Sequence, residues 1–432
     1  MVERMVRTNP EKKSGYQNGA ITGAAQADPR TGSTLTIGER IAWYRRRRGM
    51  TQEVLAGLAG GRTADWLSKV ENNRMGIDRL SVLELIADAL RIPLARLIDR
   101  GAPEPHPTSP PSKPDVDRLR DTLADYSHLT ADHTRAGDVD LDKLGAEIGE
   151  SWSAYQDSRY SRATRRLPDA ITAARTAART LDGHDAARAK AQLAMAYQGA
   201  AMVLTKIGET DLAWLAADRG LAAAFEADDR LVFGSLYRSV AHCLLANRRL
   251  EAAVTTIDNA AALLAPAARR GPDHLSIYGT LFLVGATAAA RAGDRRETSR
   301  YLTQAAQTAD LLGYDGNHMW TSFGPTTVRM HHVSAALELG DVETALAHGE
   351  RINTSALPIE RRVRHKLDLA RAHHARGQRD AAETLLLDAN ELAPEQVGSH
   401  YITGALLTAW ARSPRDATNQ HIAALTEKLG IV

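Results

Sequence analysis

The chain reads as all-α: a small five-helix domain followed by a long α-solenoid. Three observations carry that reading. Helical apolar spacing runs through the chain without strand-like alternation. Alanine is abundant while aromatics make up 5% of residues, a composition that lets helices approach closely and disfavours a β-sandwich. A short turn-and-helix element recurs along most of the chain.

The elements follow in order. Residues 1–33 lack the apolar core of a signal peptide and are rich in Gly, Asn, Thr and Ala, which predicts a disordered tail. Residues 34–100 carry five short helices. Thr36 caps the first, with Ile37, Ile41 and Tyr44 on its apolar face. Thr51 caps the second (Val54, Leu55, Leu58), Thr63 the third (Leu67, Val70) and Asp78 the fourth (Leu80, Leu83, Ala87, Leu90). Pro93 opens a fifth that ends near Asp99. The stretch GAPEPHPTSPPSKP (101–114) holds six prolines and predicts an extended spacer. From 115 to 432 a helical-repeat body is expected. Its repeated element reads RYSRAT (159–164), GETDLA (208–213), NRRLEA (247–252), GDRRET (293–298), GDVETA (340–345) and GQRDAA (377–382). In each, a small or polar turn residue precedes Ala or Thr by five positions, the mark of stacked helical hairpins.

Composition narrows the function. The formal charge is +2, but residues 36–100 carry 12 Arg/Lys against eight Asp/Glu, leaving the 101–432 portion at −4 once the +2 tail is counted. A basic head on a slightly acidic body suits a head that meets a polyanion. Of the 54 basic residues 45 are Arg, a usage typical of GC-rich bacterial genomes. Cys243 is the single cysteine, so no intramolecular disulfide forms and a buried thiol in a cytoplasmic protein is expected. No run of about 18 apolar residues exists to span a bilayer, and no membrane partner is expected. There is no P-loop, HExxH or CxxC, so no catalytic residue, cofactor or metal is expected. The pairs His331–His332 and His373–His374 point to different helix faces and do not make a chelating set.

The stretch GMTQEVLAGLAGGRTADWLSKVE (49–71) carries the chemistry. With the Arg-rich first helix and the closing Leu83–Leu90 segment, it resembles the Cro/cI-type (XRE) helix-turn-helix family over about 36–100. The distance from Gln52 to Glu71 is one residue longer than that family's usual spacing, the extra glycine lying at Gly60–Gly61. The resemblance implies that the helix from Thr63 enters the major groove, presenting Thr63, Ala64, Asp65, Ser68 and Lys69 to bases or flanking phosphates. It places Thr51 and Gln52 on the phosphate backbone, with Asn72, Asn73 and Arg74 beside it. Arg48 and Arg62 complete the expected DNA-contacting set, while Glu71 is expected to be structural. The body resembles tetratricopeptide repeats, most regularly over 364–396, where Ala370, Gly377, Ala382 and Pro394 match the family pattern. The head-and-body order is similar to that of peptide-responsive quorum-sensing regulators.

One stretch breaks the repeats: GYDGNHMWTSFGPTTVRMHH (313–332). Its aromatics suit a plug between repeats or a ligand contact on the concave face. Trp320, Phe323 and His331 are the ligand-binding candidates. The sequence thus predicts a transcriptional regulator on double-stranded operator DNA, with a body that senses a peptide or small molecule and forms a homodimer. The alternative is an interaction scaffold whose helix-turn-helix no longer binds DNA.

Overall fold

The computed structural model describes residues 36–48, 50–77, 80–90, 92, 94, 97, 111–126, 139–412 and 419–431. The tail (1–33), the Asp78 cap, most of the Pro93–Asp99 helix and residues 101–110 of the spacer lie outside the described residues. Among the described residues the named elements are all helical, joined by one isolated bridge between Gly316 and Phe323.

The head begins with α1 (Ile37–Arg47), whose capping box pairs Thr36 with Glu39. Helices α2 (Gln52–Leu58), α3 (Ala64–Glu71) and α4 (Leu80–Ala89) complete its described part. Ile41, Leu55, Leu67, Val70, Leu83, Ile86 and Leu90 form its core. Gly38 admits the closest approach, since a Cβ there would fall 2.1 Å from the Val70 carbonyl oxygen. The expected apolar face of α2 is only partly buried. Leu55 is in the core, but Val54 and Leu58 are 50% and 53% exposed, because this two-turn helix packs through Leu55, Ala56 and Ala59 alone.

The body starts with α5 (Lys113–Ala124), capped by Ser112 with Pro114 in its first turn. Helix therefore begins inside the stretch read as spacer, since a proline fits the first turn as readily as an extended chain. Six helical hairpins follow. They are α6 (Leu141–Gln156) with α7 (Tyr160–Thr180), α8 (Gly183–Ile207) with α9 (Thr210–Glu226), and α10 (Arg230–Ala246) with α11 (Leu250–Leu264). Next come α12 (Pro272–Arg291) with α13 (Arg295–Leu312), α14 (Pro325–Leu339) with α15 (Val342–Gly349), and α16 (Ile359–Ala375) with α17 (Arg379–Leu392). Helices α18 (Pro394–Ser399), α19 (Tyr401–Arg412) and α20 (Gln420–Lys428) close the chain.

Each repeated element sits at the tight turn inside one hairpin. Gly208, Gly293, Gly340 and Gly377 occupy left-handed backbone there, which glycine enters without a Cβ penalty. In the two divergent copies the left-handed residues are Ser158 and Arg248, so the register lies one position from that read in RYSRAT and NRRLEA. Counting five from the true turn residue brings Ala163 and Ala253, both fully buried, into line with Ala213, Ala345 and Ala382. Cys243 is buried as expected, and burial pushes its thiol up to about 11.

The array closes on itself. Trp152 of the first hairpin stacks on Trp320 at 6.2 Å, and Gln156 exchanges 2.8 Å hydrogen bonds with Asn317. Nearby, Ser158 Oγ donates to Gln396 at 2.6 Å and Ser161 donates twice to Glu395 at 2.7 Å. The head docks on this body at two places. Arg412 donates to the Met75 carbonyl at 2.9 Å and to Asn73 Oδ1 at 2.8 Å. On α4, Asp88 receives Arg248 at 2.8 Å while Glu84 lies 3.5 Å from Arg248 and 3.6 Å from Arg291.

Candidate functional site

Two threonines build the first candidate surface. Thr51 and Thr63 accept from the Val54 and Trp66 amides at 3.2 Å, starting α2 and α3 where the sequence places them. Between them, Gly60 and Gly61 have φ of 89° and 70°, and backbone bonds from Gly61 to Gly57 and Arg62 to Ala56 (both 2.9 Å) close the lengthened turn. The extra glycine thus adds a second left-handed step without opening the end of α2.

Helix α3 buries Leu67, Val70 and Glu71 and leaves Asp65 and Lys69 outward, joined by a 2.6 Å i,i+4 ion pair. Thr63 is exposed at its start, with Ala64 and Ser68 half-buried beside it. Asn72 follows and donates back to Ser68. Arg62 lies over the Trp66 ring at 4.6 Å, and Arg48 and Arg74 are exposed at neighbouring helix ends.

Two residues of the expected set have side-chain partners far away in the sequence. Gln52 donates to Glu71 Oε2 at 2.7 Å, and Arg45 grips the same carboxylate at 2.5 and 2.8 Å. This buried triad ties α1, the start of α2 and the end of α3 together. Asn73 takes left-handed backbone (φ 59°), and its Oδ1 accepts from Thr36 Oγ1 and Arg412. Sequence reasoning assigned both to phosphate because their partners lie 19 and 37 residues away, where spacing gives no signal.

The second candidate is a half-open cavity of about 270 Å³ lined by the array and by Glu84 and Leu94 of the head. His331 lines it; Trp320 and Phe323 do not. Phe323 is fully buried, its ring occupying the space a Cβ on Gly279 would need, and Trp320 belongs to the stack on Trp152. One wall comes from α16, which supplies Glu360, Arg361, Arg364 and Asp368. Lys206 and Arg361 share Glu360, whose carboxyl these cations hold down to about 2 against the opposing effect of burial. Arg364 pairs with Asp368 at 3.2 Å. Burial lowers His242, His331 and His400, with cations adding to the effect, and His331 falls to about 4. The sequence did carry a signal for this wall. Arg361, Arg364, Asp368 and Arg371 recur every three or four residues on α16, a charged stripe alongside Val363, Leu367 and Ala370. The regular apolar pattern of 364–396 masked it.

Among the described residues, no group of His, Cys, Asp and Glu could hold a metal ion, and no helix is long and apolar enough to cross a membrane.

Residues 36–97 match the family model of a helix-turn-helix domain. Among solved structures, a Rap protein complexed with Competence and Sporulation Factor aligns with a TM-score of 0.46 and 11% identity, covering 84% of this chain and 99% of that one. Bacillus thuringiensis PlcR in complex with the peptide PapR7 and DNA aligns with a TM-score of 0.29 and 14% identity, covering 64% and 95%. Comparison with curated proteins gives no match. The head is a helix-turn-helix domain, and the body is a tetratricopeptide-like helical array.

Proposed function

We propose that the chain is a sequence-specific DNA-binding transcriptional regulator. Its head reads operator DNA, and its body senses a ligand and joins two copies into a homodimer. The outward face of α3 carries the reading: Thr63 and Asp65 are exposed at the start, and Lys69 one turn further on, of the second helix of a helix-turn-helix domain. An exposed ion pair between Asp65 and Lys69 is worth little in water, so both groups are available to base edges. Lysine then donates to guanine, and aspartate accepts from cytosine N4. Thr51 at the start of α2, with Arg48, Arg62, Asn72 and Arg74, supplies the sequence-independent phosphate contacts. Gln52 acts one step back, holding α2 on α3 through Glu71.

The dimer follows from the modest charge of the head. An excess of +4 over 36–100 neutralises few phosphates, so a single head binds weakly in cellular salt. A second, tethered head makes the next contact intramolecular. The body offers apolar surface for this: on α9, Phe225 is 76% exposed and Trp214 is 40% exposed, three turns apart on one face.

The deciding experiment is selection of duplexes from random double-stranded DNA by the full-length protein at 150 mM salt, with Lys69→Ala in parallel. We expect an enriched two-fold motif for the parent and relaxed enrichment for the variant. Retention of no sequence above background would leave the scaffold reading in its place.

A further inference from the structure

The cavity against which the head docks carries more positive charge than its own carboxylates offset. Lys206, Arg291, Arg361 and Arg364 line it, against Glu84, Glu360 and Asp368. A fifth cation stands behind the wall. Arg238, one turn before His242 on α10, is 1% exposed, and its Nε and Nη2 have no hydrogen-bond partner. Its field falls on Tyr155 and His242, both of which line the cavity. The lining donors Arg291 Nε and Tyr401 Oη are likewise unpartnered, as is the acceptor Asp368 Oδ1. A buried guanidinium with open donors is costly unless an anion meets it.

The carboxylate nearest to filling that role belongs to the head. Glu84 is 2% exposed, yet it approaches Arg248 and Arg291 at 3.5 and 3.6 Å, too far for strong charge-assisted bonds. Its burial is incompletely compensated, and its carboxyl lies above the ordinary range. The volume, about 270 Å³, falls just below the roughly 300–1,000 Å³ typical of small-molecule pockets, which suits a compact ligand.

We infer that this cavity binds a small organic anion, carrying a phosphate or carboxylate group, which competes with Glu84 of the head for Arg291. The inference rests on the sensing role proposed above and narrows the ligand to a compact oxyanion. Asp368 Oδ1 would be satisfied by a hydroxyl on the same molecule. Because the anion and Glu84 share one arginine, occupancy loosens the α4 contact, and a docked head lowers anion affinity by the same factor.

Inorganic phosphate and citrate are the probes, titrated calorimetrically into the full-length protein at constant ionic strength. The two arms separate the phosphate and carboxylate sources, and saturable binding of either supports the proposal. Glu84→Gln should tighten binding about tenfold by removing the competing carboxylate, and Arg361→Gln should weaken it at least tenfold. Arg238→Met gives the sharpest separation. It removes an uncompensated buried charge, so the melting temperature should hold or rise while anion binding falls. A purely structural arginine would lower the melting temperature and leave binding of the folded fraction unchanged. No saturable heat with either probe in the parent overturns the proposal without needing any variant, as does binding that Glu84→Gln and Arg238→Met leave unaltered. DNA selection is read separately: anion binding without any selected duplex would keep the site and remove the regulator reading.

Discussion

Gln52, a side chain that looks available at the start of α2, is committed to Glu71 of α3, which Arg45 of α1 also grips. Glu71 is 6% exposed and receives three hydrogen bonds from those two partners. Replacing it by alanine strands the Arg45 guanidinium, and losing one partner of a buried pair costs about 3–5 kcal/mol. We expect Glu71→Ala to abolish the folded head, seen as lost amide-exchange protection in α1–α3. Gln52→Ala removes one bond to a carboxylate and should cost about 1.5–3 kcal/mol of head stability, weakening binding to every duplex alike. Lys69→Ala should leave stability within about 0.5 kcal/mol and reduce discrimination for the operator by about 1–3 kcal/mol, measured by titrating specific and scrambled duplexes. Equal losses on both duplexes would move Lys69 to the phosphate class. The N-caps Thr51 and Thr63 were legible because capping is local. Gln52 and Asn73 were not, since a hydrogen bond between residues 19 or 37 positions apart leaves no periodicity to read.

At the scale of elements, the hairpins were legible from turn chemistry, and the misread registers share one cause. Serine at 158 and arginine at 248 adopt left-handed backbone that the sequence pattern reserves for glycine. The surrounding hairpin over-determines that conformation, at a cost of order 1–3 kcal/mol at each position. Of the two roles that suit the aromatics of 313–324, packing is the one seen for Trp320 and Phe323, with a division of labour invisible in one dimension. Phe323 fills the notch left by Gly279, where a Cβ would lie 2.0 Å from the ring. Trp320 instead reaches the first hairpin. Gly279→Ala should therefore force the ring aside and destabilise by about 1–3 kcal/mol, read as a lower melting temperature by circular dichroism. Trp320→Ala should loosen the tie to α6 and speed amide exchange in α6, while the DNA affinity of the ligand-free protein stays unchanged. An unaltered exchange pattern would mean that the Gln156–Asn317 bonds hold the contact without the stack.

For the whole molecule, acidity tests how the three cavity histidines are held. His242, His331 and His400 all sit below their ordinary value, chiefly because burial disfavours the charged ring. Below about pH 6.5 the unfolded chain takes up protons there that the folded one refuses. Stability contributed by the neutral rings is thus complete above about pH 6.5 and drains away as the pH falls towards 4. The melting temperature should decline over that interval, and His331→Phe should flatten the decline. Assembly is the second test. We expect the full chain to sediment as a dimer, Phe225→Glu to shift it towards monomer, and operator half-sites to lie about one helical turn (~10 bp) or a multiple apart. A parent that sediments as a monomer on DNA and protects a single half-site would remove the dimer from the proposal.

The closure between α6–α7 and α18 has a further consequence. A linear repeat array behaves as a chain of neighbours and frays from its two ends. Here Ser158 bonds to Gln396 across 238 positions of sequence, and Ser161 to Glu395 across 234. These bonds tie the first hairpin to α18, so the hairpins between them are held at both ends and only α5, α19 and α20 lie outside the tie. Such a molecule should melt in one step where an open coil would peel repeat by repeat, and it should refold slowly, because these contacts close a loop of 238 positions. A cut near residue 394 would then be felt in α6 and α7 as well as beside the break, in helices that the blade never touched.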